Sequence, residues 1–197
     1  MDEGTRAVKN ARAVIERTCG GAMAPVPLPT GFDRKAGVFV TINRFPSLDL
    51  RGCIGYPEPI FPLKQALTMA AQGATRDPRF PPLRADELEG IVVEVSILTP
   101  PVLLEANTPK DFVKKVKIGR DGLIAEHGAF KGLLLPQVPV EWGWDAEEFI
   151  SETCMKAGLM PDSWLEKGIK LYSFQAEIFS EDRPRGKVVR KELGGKE

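Results

Sequence analysis

A chain of 197 residues is long enough for one well-buried core, and its 27 basic and 27 acidic side chains cancel to a net charge of zero. Without an overall field the molecule has no general attraction for nucleic acid or an anionic membrane, so any such binding has to be local. No apolar run approaches the roughly 20 residues that span a bilayer, the start Met1-Asp2-Glu3-Gly4 lacks a signal-peptide stretch, and three widely spaced cysteines fit neither a disulfide framework nor a zinc site. A soluble protein of the reducing cytoplasm is expected.

Residues 5 to 19 place Ala7, Ala11, Val14, Ile15 and Cys19 at helical spacing, stopped by Gly20-Gly21. A Pro- and Gly-rich connector follows from Ala22 to Arg34, and then Gly37 to Asn43 alternates as a strand. Leu50 to Tyr56 reads as a second strand; if it is regularly extended, Arg51 and Cys53 share a face about 7 Å apart. Leu63 to Thr75 carries a small-residue stripe, Leu63, Ala66, Leu67, Ala70, Ala71 and Ala74, that lets a helix lie close to a sheet.

Ile91 to Leu98 is a strand with one apolar face. Thr108-Pro109 opens a short helix through Val116, and Gly122 to His127 with Lys131 to Leu135 form a hairpin. Leu133 to Trp144 reads as an apolar strand running into a rigid aromatic loop, in which Trp142 and Trp144 line a cleft or a partner surface or simply plug the core. Asp145 and Glu148 form a capping box for a helix ended by Gly158, with Cys154 on its apolar stripe. Lys170 to Phe179 is expected as one strand with Tyr172, Phe174, Ala176 and Ile178 inward, followed by a polar tail over 181–197 whose basic stretch Arg183 to Lys191 is solvated.

Helices and strands mix without the regular alternation of a doubly wound sheet, so the fold class is α+β, with a largely antiparallel sheet packed with helices. No dinucleotide or P-loop fingerprint is present, and a single histidine without clustered ligands gives no metal site; no cofactor is expected.

The chemistry-bearing residues gather in a few places. Cys53 lies between Gly52 and Gly55, two residues from Arg51: glycine allows close approach to the backbone, and the arginine can favour a thiolate or hold an anion. Against this, free cysteine usually packs as a small hydrophobe, which is also the reading for Cys19 and Cys154. Arg76, Asp77 and Arg79 sit in a proline-stiffened loop, where an arginine grips an anionic group while Asp77 orients a partner, or where all three merely pair at the surface. His127 is the one imidazole for proton transfer near neutrality, or simply a polar hairpin residue; Glu141, beside Trp142, is a polar contact candidate together with Gln137.

Leu50-Arg51-Gly52-Cys53-Ile54-Gly55, Asp77-Pro78-Arg79-Phe80-Pro81-Pro82-Leu83, Glu94 to Pro100, Gly132 to Gln137 and Thr153 to Leu159 together resemble the AMMECR family, named for the Alport syndrome, mental retardation, midface hypoplasia and elliptocytosis chromosomal region. The resemblance covers nearly the whole chain, and the cysteine motif is its hallmark. It implies a stand-alone, prokaryotic-type member over residues 1–197: a bilobed α+β domain with a larger and a smaller lobe and a cleft between them. It also implies association with Memo-like and radical S-adenosylmethionine proteins in a modification pathway, and it brings no catalytic residue beyond the motif itself.

Two functions follow from these residues. As an enzyme or enzyme subunit acting on a small or anionic substrate, the chain would use Cys53 as an unusually acidic nucleophile, with Arg51 stabilising negative charge and Arg76 or Arg79 positioning the substrate. As a non-catalytic module for a protein or metabolite, it would use the same surface without thiol chemistry. Nucleic-acid binding through the basic tail and arginine loop is a weaker third function.

Overall fold

In a computed structural model, which describes residues 1–191, the first helix α1 runs Glu3–Thr18, opened by the Asp2 carboxylate accepting from the Thr5 amide at 2.7 Å. Its stripe of Ala7, Val8, Ala11 and Ile15 is fully buried. The connector that follows is not wholly irregular: Thr30–Asp33 forms a 3-10 turn that buries Phe32. Strands β1 (Val38–Arg44) and β2 (Leu50–Tyr56) pair antiparallel, and helix α2 (Leu63–Ala74) lays its alanine stripe on them.

Strand β3 (Ile91–Leu98) pairs antiparallel with the other side of β1. With β8 (Ala176–Glu181) and β9 (Val188–Lys191) these make a five-stranded sheet in the order β2-β1-β3-β8-β9. Its core is Val38, Val40 and Ile42 of β1 and Val93 and Val95 of β3 against α1 and α2. Each such fully buried aliphatic side chain contributes on the order of 1.5–3 kcal/mol.

The second compact unit, Thr99–Ala176, holds a four-stranded sheet, β4 (Val102–Leu103), β5 (Gly122–His127), β6 (Phe130–Leu134) and β7 (Lys170–Phe174), in the order β4-β7-β5-β6 with antiparallel pairing. Helices α3 (Pro109–Lys115), α4 (Gln137–Trp142) and α5 (Ala146–Lys156) belong to it; its core joins Leu123, Ala125 and Leu171 to Phe149, Ile150 and Cys154. The first unit comprises Met1–Leu98 and Glu177–Lys191. No helix among the described residues is long and apolar enough to cross a membrane.

Two expectations are corrected and a third is refined. The strand expected over 170–179 is two strands in two sheets, broken at exposed Gln175, whose amide donates to the Thr99 hydroxyl at 2.8 Å while its carbonyl receives the Thr99 amide at 2.9 Å. Alternation therefore restarts, and Leu171, Phe174 and Ile178 are buried while Tyr172 and Ala176 are only half-buried. The basic stretch Arg183 to Lys191 keeps its cations exposed, as expected of a solvated segment, but its last residues fold back as β9. Three of its exposed cations form pairs, Arg190–Glu177 at 3.0 Å, Lys191–Glu94 at 2.5 Å and Arg185–Glu16 at 2.7 Å; residues 192–197 of the expected tail lie outside the described residues. The aromatic loop after β6 contains the helix α4, capped by Gly143 in the left-handed region at φ 71°.

One buried ion pair closes the first unit across most of its sequence. The Arg12 guanidinium, fully buried, donates to both carboxylate oxygens of Glu181 and to the carbonyls of Leu88 at 3.2 Å and Ile91 at 2.7 Å, while Glu181 also receives the Val93 amide at 3.0 Å. Removing one partner strands a charge in a low-dielectric interior, so Arg12→Met is expected to lower unfolding free energy by about 3–5 kcal/mol. Arg34→Ala, which breaks an exposed pair with Glu3 and an exposed bond to the Gly31 carbonyl, is expected to lower it by less than about 1 kcal/mol. Urea denaturation of the two variants checks this, and similar losses in both would contradict it.

Candidate functional site

Regular alternation, which would put Arg51 and Cys53 on one face, does not hold. Ile42 stands opposite Gly52 and Asn43 opposite Leu50, so Arg51 is the extra residue of a bulge. Its buried guanidinium makes a two-pronged pair with Glu87, Nε to Oε2 at 2.7 Å and Nη2 to Oε1 at 2.9 Å, and reaches the Pro82 carbonyl at 3.4 Å. Cys53 instead stands opposite Thr41, whose hydroxyl donates to its Sγ at 3.3 Å, and Thr41 is in register with Glu94 on β3. The expected Arg51–Cys53 dyad is therefore not formed.

The glycines of the motif serve packing. A Cβ on Gly52 would lie 2.3 Å from the Ala74 carbonyl oxygen at the end of α2, and one on Gly55 would lie 2.2 Å from the Phe39 ring. Their absence of side chains admits the helix end and a cross-strand ring, where the sequence alone pointed to a ligand.

Asp77, 2% exposed, follows α2 and organises the loop. One carboxylate oxygen accepts from the Cys53 amide at 2.8 Å and from Arg79 Nη2 at 2.7 Å; the other accepts from the Arg79 amide and Nε, both at 3.0 Å. Arg79, with its side chain 57% exposed, is thereby fixed by a buried partner, and its guanidinium carbon stands 5.7 Å from the centre of the Phe80 ring, which Arg51 approaches to 5.9 Å. Arg76 is exposed and borders a shallow depression of about 340 Å³ with Thr18, Gln72 and Gly73.

The electrostatics follow these contacts. The Arg79 hydrogen bonds hold the Asp77 carboxyl far below the usual carboxylate range against the opposing effect of burial, with the Cys53 amide adding to them. Burial pushes the Cys53 thiol up, and neither the Thr41 hydroxyl nor the Arg79 charge offsets it. The acidic thiol expected of a nucleophile is thus replaced by a neutral one at pH 7. Burial likewise raises Cys19, whose Sγ donates to the Leu83 carbonyl at 3.4 Å, and pushes Cys154 up to about 11. The Arg51 hydrogen bonds lower Glu87.

Of the remaining candidates, His127 and Glu141 belong to the second unit. His127 is half-buried at the end of β5 opposite Phe130, and Glu141 is exposed on α4. No group of three or more His, Cys, Asp or Glu side chains that could hold a metal occurs among the described residues. Glu87, Thr41 and Phe80 join the site without having been singled out from the sequence: Glu87 lies 36 residues from Arg51, beyond any local spacing rule.

These features define a class: an α+β protein of two antiparallel-sheet units, with a bulged Arg-Gly-Cys edge strand locked to an Asp-Pro-Arg loop. The AMMECR1 family model matches residues 8–179, and the chain belongs to that family. It is 55% identical to Protein MJ0810 of Methanocaldococcus jannaschii over 98% of this chain and 97% of that one. It is 57% identical to Protein TK0174 of Thermococcus kodakarensis over 86% and 84%. The crystal structure of the uncharacterised protein PH0010 from Pyrococcus horikoshii is similar with a TM-score of 0.87, at 52% identity, covering 96% of this chain and 97% of that one.

The lock is pH-dependent in a defined direction. Asp77 has a folded-state pKa below its unfolded value of about 3.9, so its stabilisation is present above that value and is lost as pH falls through it toward the folded pKa. Because Arg79 is more than half exposed, screening holds the ion pair's own share to about 1 kcal/mol. In Asp77→Asn, stability measured by urea denaturation is expected to be lower at pH 7 and to fall less steeply between about pH 5 and 2. Parallel pH profiles for variant and wild type would contradict the assignment.

Proposed function

We propose that the chain is a non-catalytic binding module of the cytoplasm, whose working group is the outward edge of Arg79 and whose ligand is an anionic group on a small metabolite or a partner protein. One observation carries this reading: Asp77, itself buried and saturated with donors, fixes an arginine whose side chain remains 57% exposed. A guanidinium held in place loses little conformational freedom on binding, so more of its interaction with an anion appears as affinity. Enzymatic use of the same motif has less support, because Cys53 is a neutral thiol and Arg51 is engaged by Glu87. The partners proposed are the Memo-like and radical S-adenosylmethionine proteins implied by the family resemblance, in a shared modification pathway.

Titration with inorganic phosphate and with glutamate, read from the ¹H–¹⁵N signals of the backbone amides at positions 79 and 80, tests the reading. A saturable shift at Arg79 is expected, equal within about twofold in Cys53→Ala and weakened at least about tenfold in Arg79→Gln, the scale of one charge-assisted hydrogen bond. Binding lost in folded Cys53→Ala, or unchanged in Arg79→Gln, would contradict it.

A further inference from the structure

The second unit carries a feature of opposite charge. Helix α4 ends at Trp142, Gly143 turns the chain through the left-handed region, and the Trp142 and Trp144 rings stack with centroids 5.9 Å apart and planes 16° apart. Trp142 is 70% exposed. An indole held in solvent on a tight turn contributes little to the core, yet it offers a flat, electron-rich face.

Next to this pair lies a groove of about 480 Å³ walled by Trp144, Met155 and Pro161 and rimmed by Asp145, Glu147, Glu148 and Glu152. Two of these carboxylates are accounted for by the start of α5. Asp145 accepts from the amides of Glu147 and Glu148, both at 2.9 Å, and Glu148 accepts from the Asp145 amide at 2.9 Å. Glu147 and Glu152 have no hydrogen bond or ion pair from their side chains among the described residues, and no lysine or arginine lines the groove. Glu148 and Glu152, four residues apart on one helix, repel each other. Lys156, four residues after Glu152 on the same helix, offsets part of this charge, but it does not line the groove, and the rim stays net negative.

The shape of the charge decides between cations. The carboxylates are strung along α5 and do not converge into any group able to hold a metal. A long cation on an apolar stem suits such a site: its methylenes lie on indole and methionine while its head meets the carboxylates. Arginine fits better than lysine, because its planar guanidinium stacks on an aromatic face and still presents edge donors.

We propose that this groove docks a basic segment of a partner protein, one arginine of which stacks on the Trp142–Trp144 pair while the segment's positive charge meets the rim carboxylates Glu147 and Glu152. The site is charge-complementary to an arginine flanked by apolar residues, the latter resting on Met155 and Pro161.

The test uses the full chain and a fluorescein-labelled peptide of alternating leucine and arginine, with its leucine–glutamate counterpart, spermine and Mg²⁺ as separate probes, read by fluorescence anisotropy. Saturable binding of the arginine peptide is expected. It should weaken at least about tenfold in Glu147→Gln/Glu152→Gln and about tenfold in Trp142→Ala, and fall as salt rises. Trp142 is mostly solvent-exposed, so its variant keeps the core intact, and unchanged melting curves verify both variants. Absence of saturation, equal binding of the glutamate peptide, or affinity unchanged in either variant would overturn the proposal. Displacement by spermine or Mg²⁺ at the peptide's own concentration would also overturn it, by assigning the groove to a small cation.

Discussion

An ionised carboxylate can be buried only if donors replace the water it loses, and at Asp77 all four lone-pair sites are taken: one by the Cys53 amide and three by Arg79. The first unit's site depends on this arrangement. β2 is the last strand of its sheet, and the Cys53 amide has its partner in Asp77 beyond that edge. The same carboxylate ties the turn after α2 to the strand, which brings the Ala74 carbonyl so close to position 52 that only glycine fits. It also sets the direction of Arg79. A strand edge, a helix end and an exposed cation are thus fixed by one buried negative charge.

Much of the fold was legible because its signals are local. The boundaries of β2 and β3 follow from alternation and flanking turns, α2 from its alanine stripe, and α5 from the Asp145–Glu148 capping box. What was hidden depends on groups far apart in the chain. The bulge at Arg51 arises from pairing with β1, and it turns the guanidinium toward Glu87, 36 residues away. The break at Gln175 lies inside an unbroken apolar alternation and is defined by its bonds to Thr99, 76 residues distant. The basic run after Glu181 stays exposed as it reads, and its pairs with acids on α1, β3 and β8 show only once those distant elements are in place.

The motif itself shows how a local pattern can invite a reading that its packing does not share. Glycines flanking a cysteine read as room for a ligand, and they are room for Ala74 and Phe39. An arginine two residues from a thiol reads as an activator, and it is the buried half of an ion pair. The loop from Arg76 to Arg79, readable as a site or as surface pairing, holds a guanidinium that is both fixed and more than half exposed. In the second unit, similarly, a tryptophan pair and two unmatched glutamates are left over once helix capping has been accounted for.

The account rests on the Asp77 carboxylate holding the Cys53 amide, and hydrogen exchange at that amide, followed by NMR, tests it most directly. Protection of about 100-fold or more over the unstructured rate is expected in the wild-type protein, falling away in Asp77→Ala while the amides of β1 and β3 stay protected. Free exchange at Cys53 in the wild type, or protection that survives the loss of the carboxylate, would contradict it.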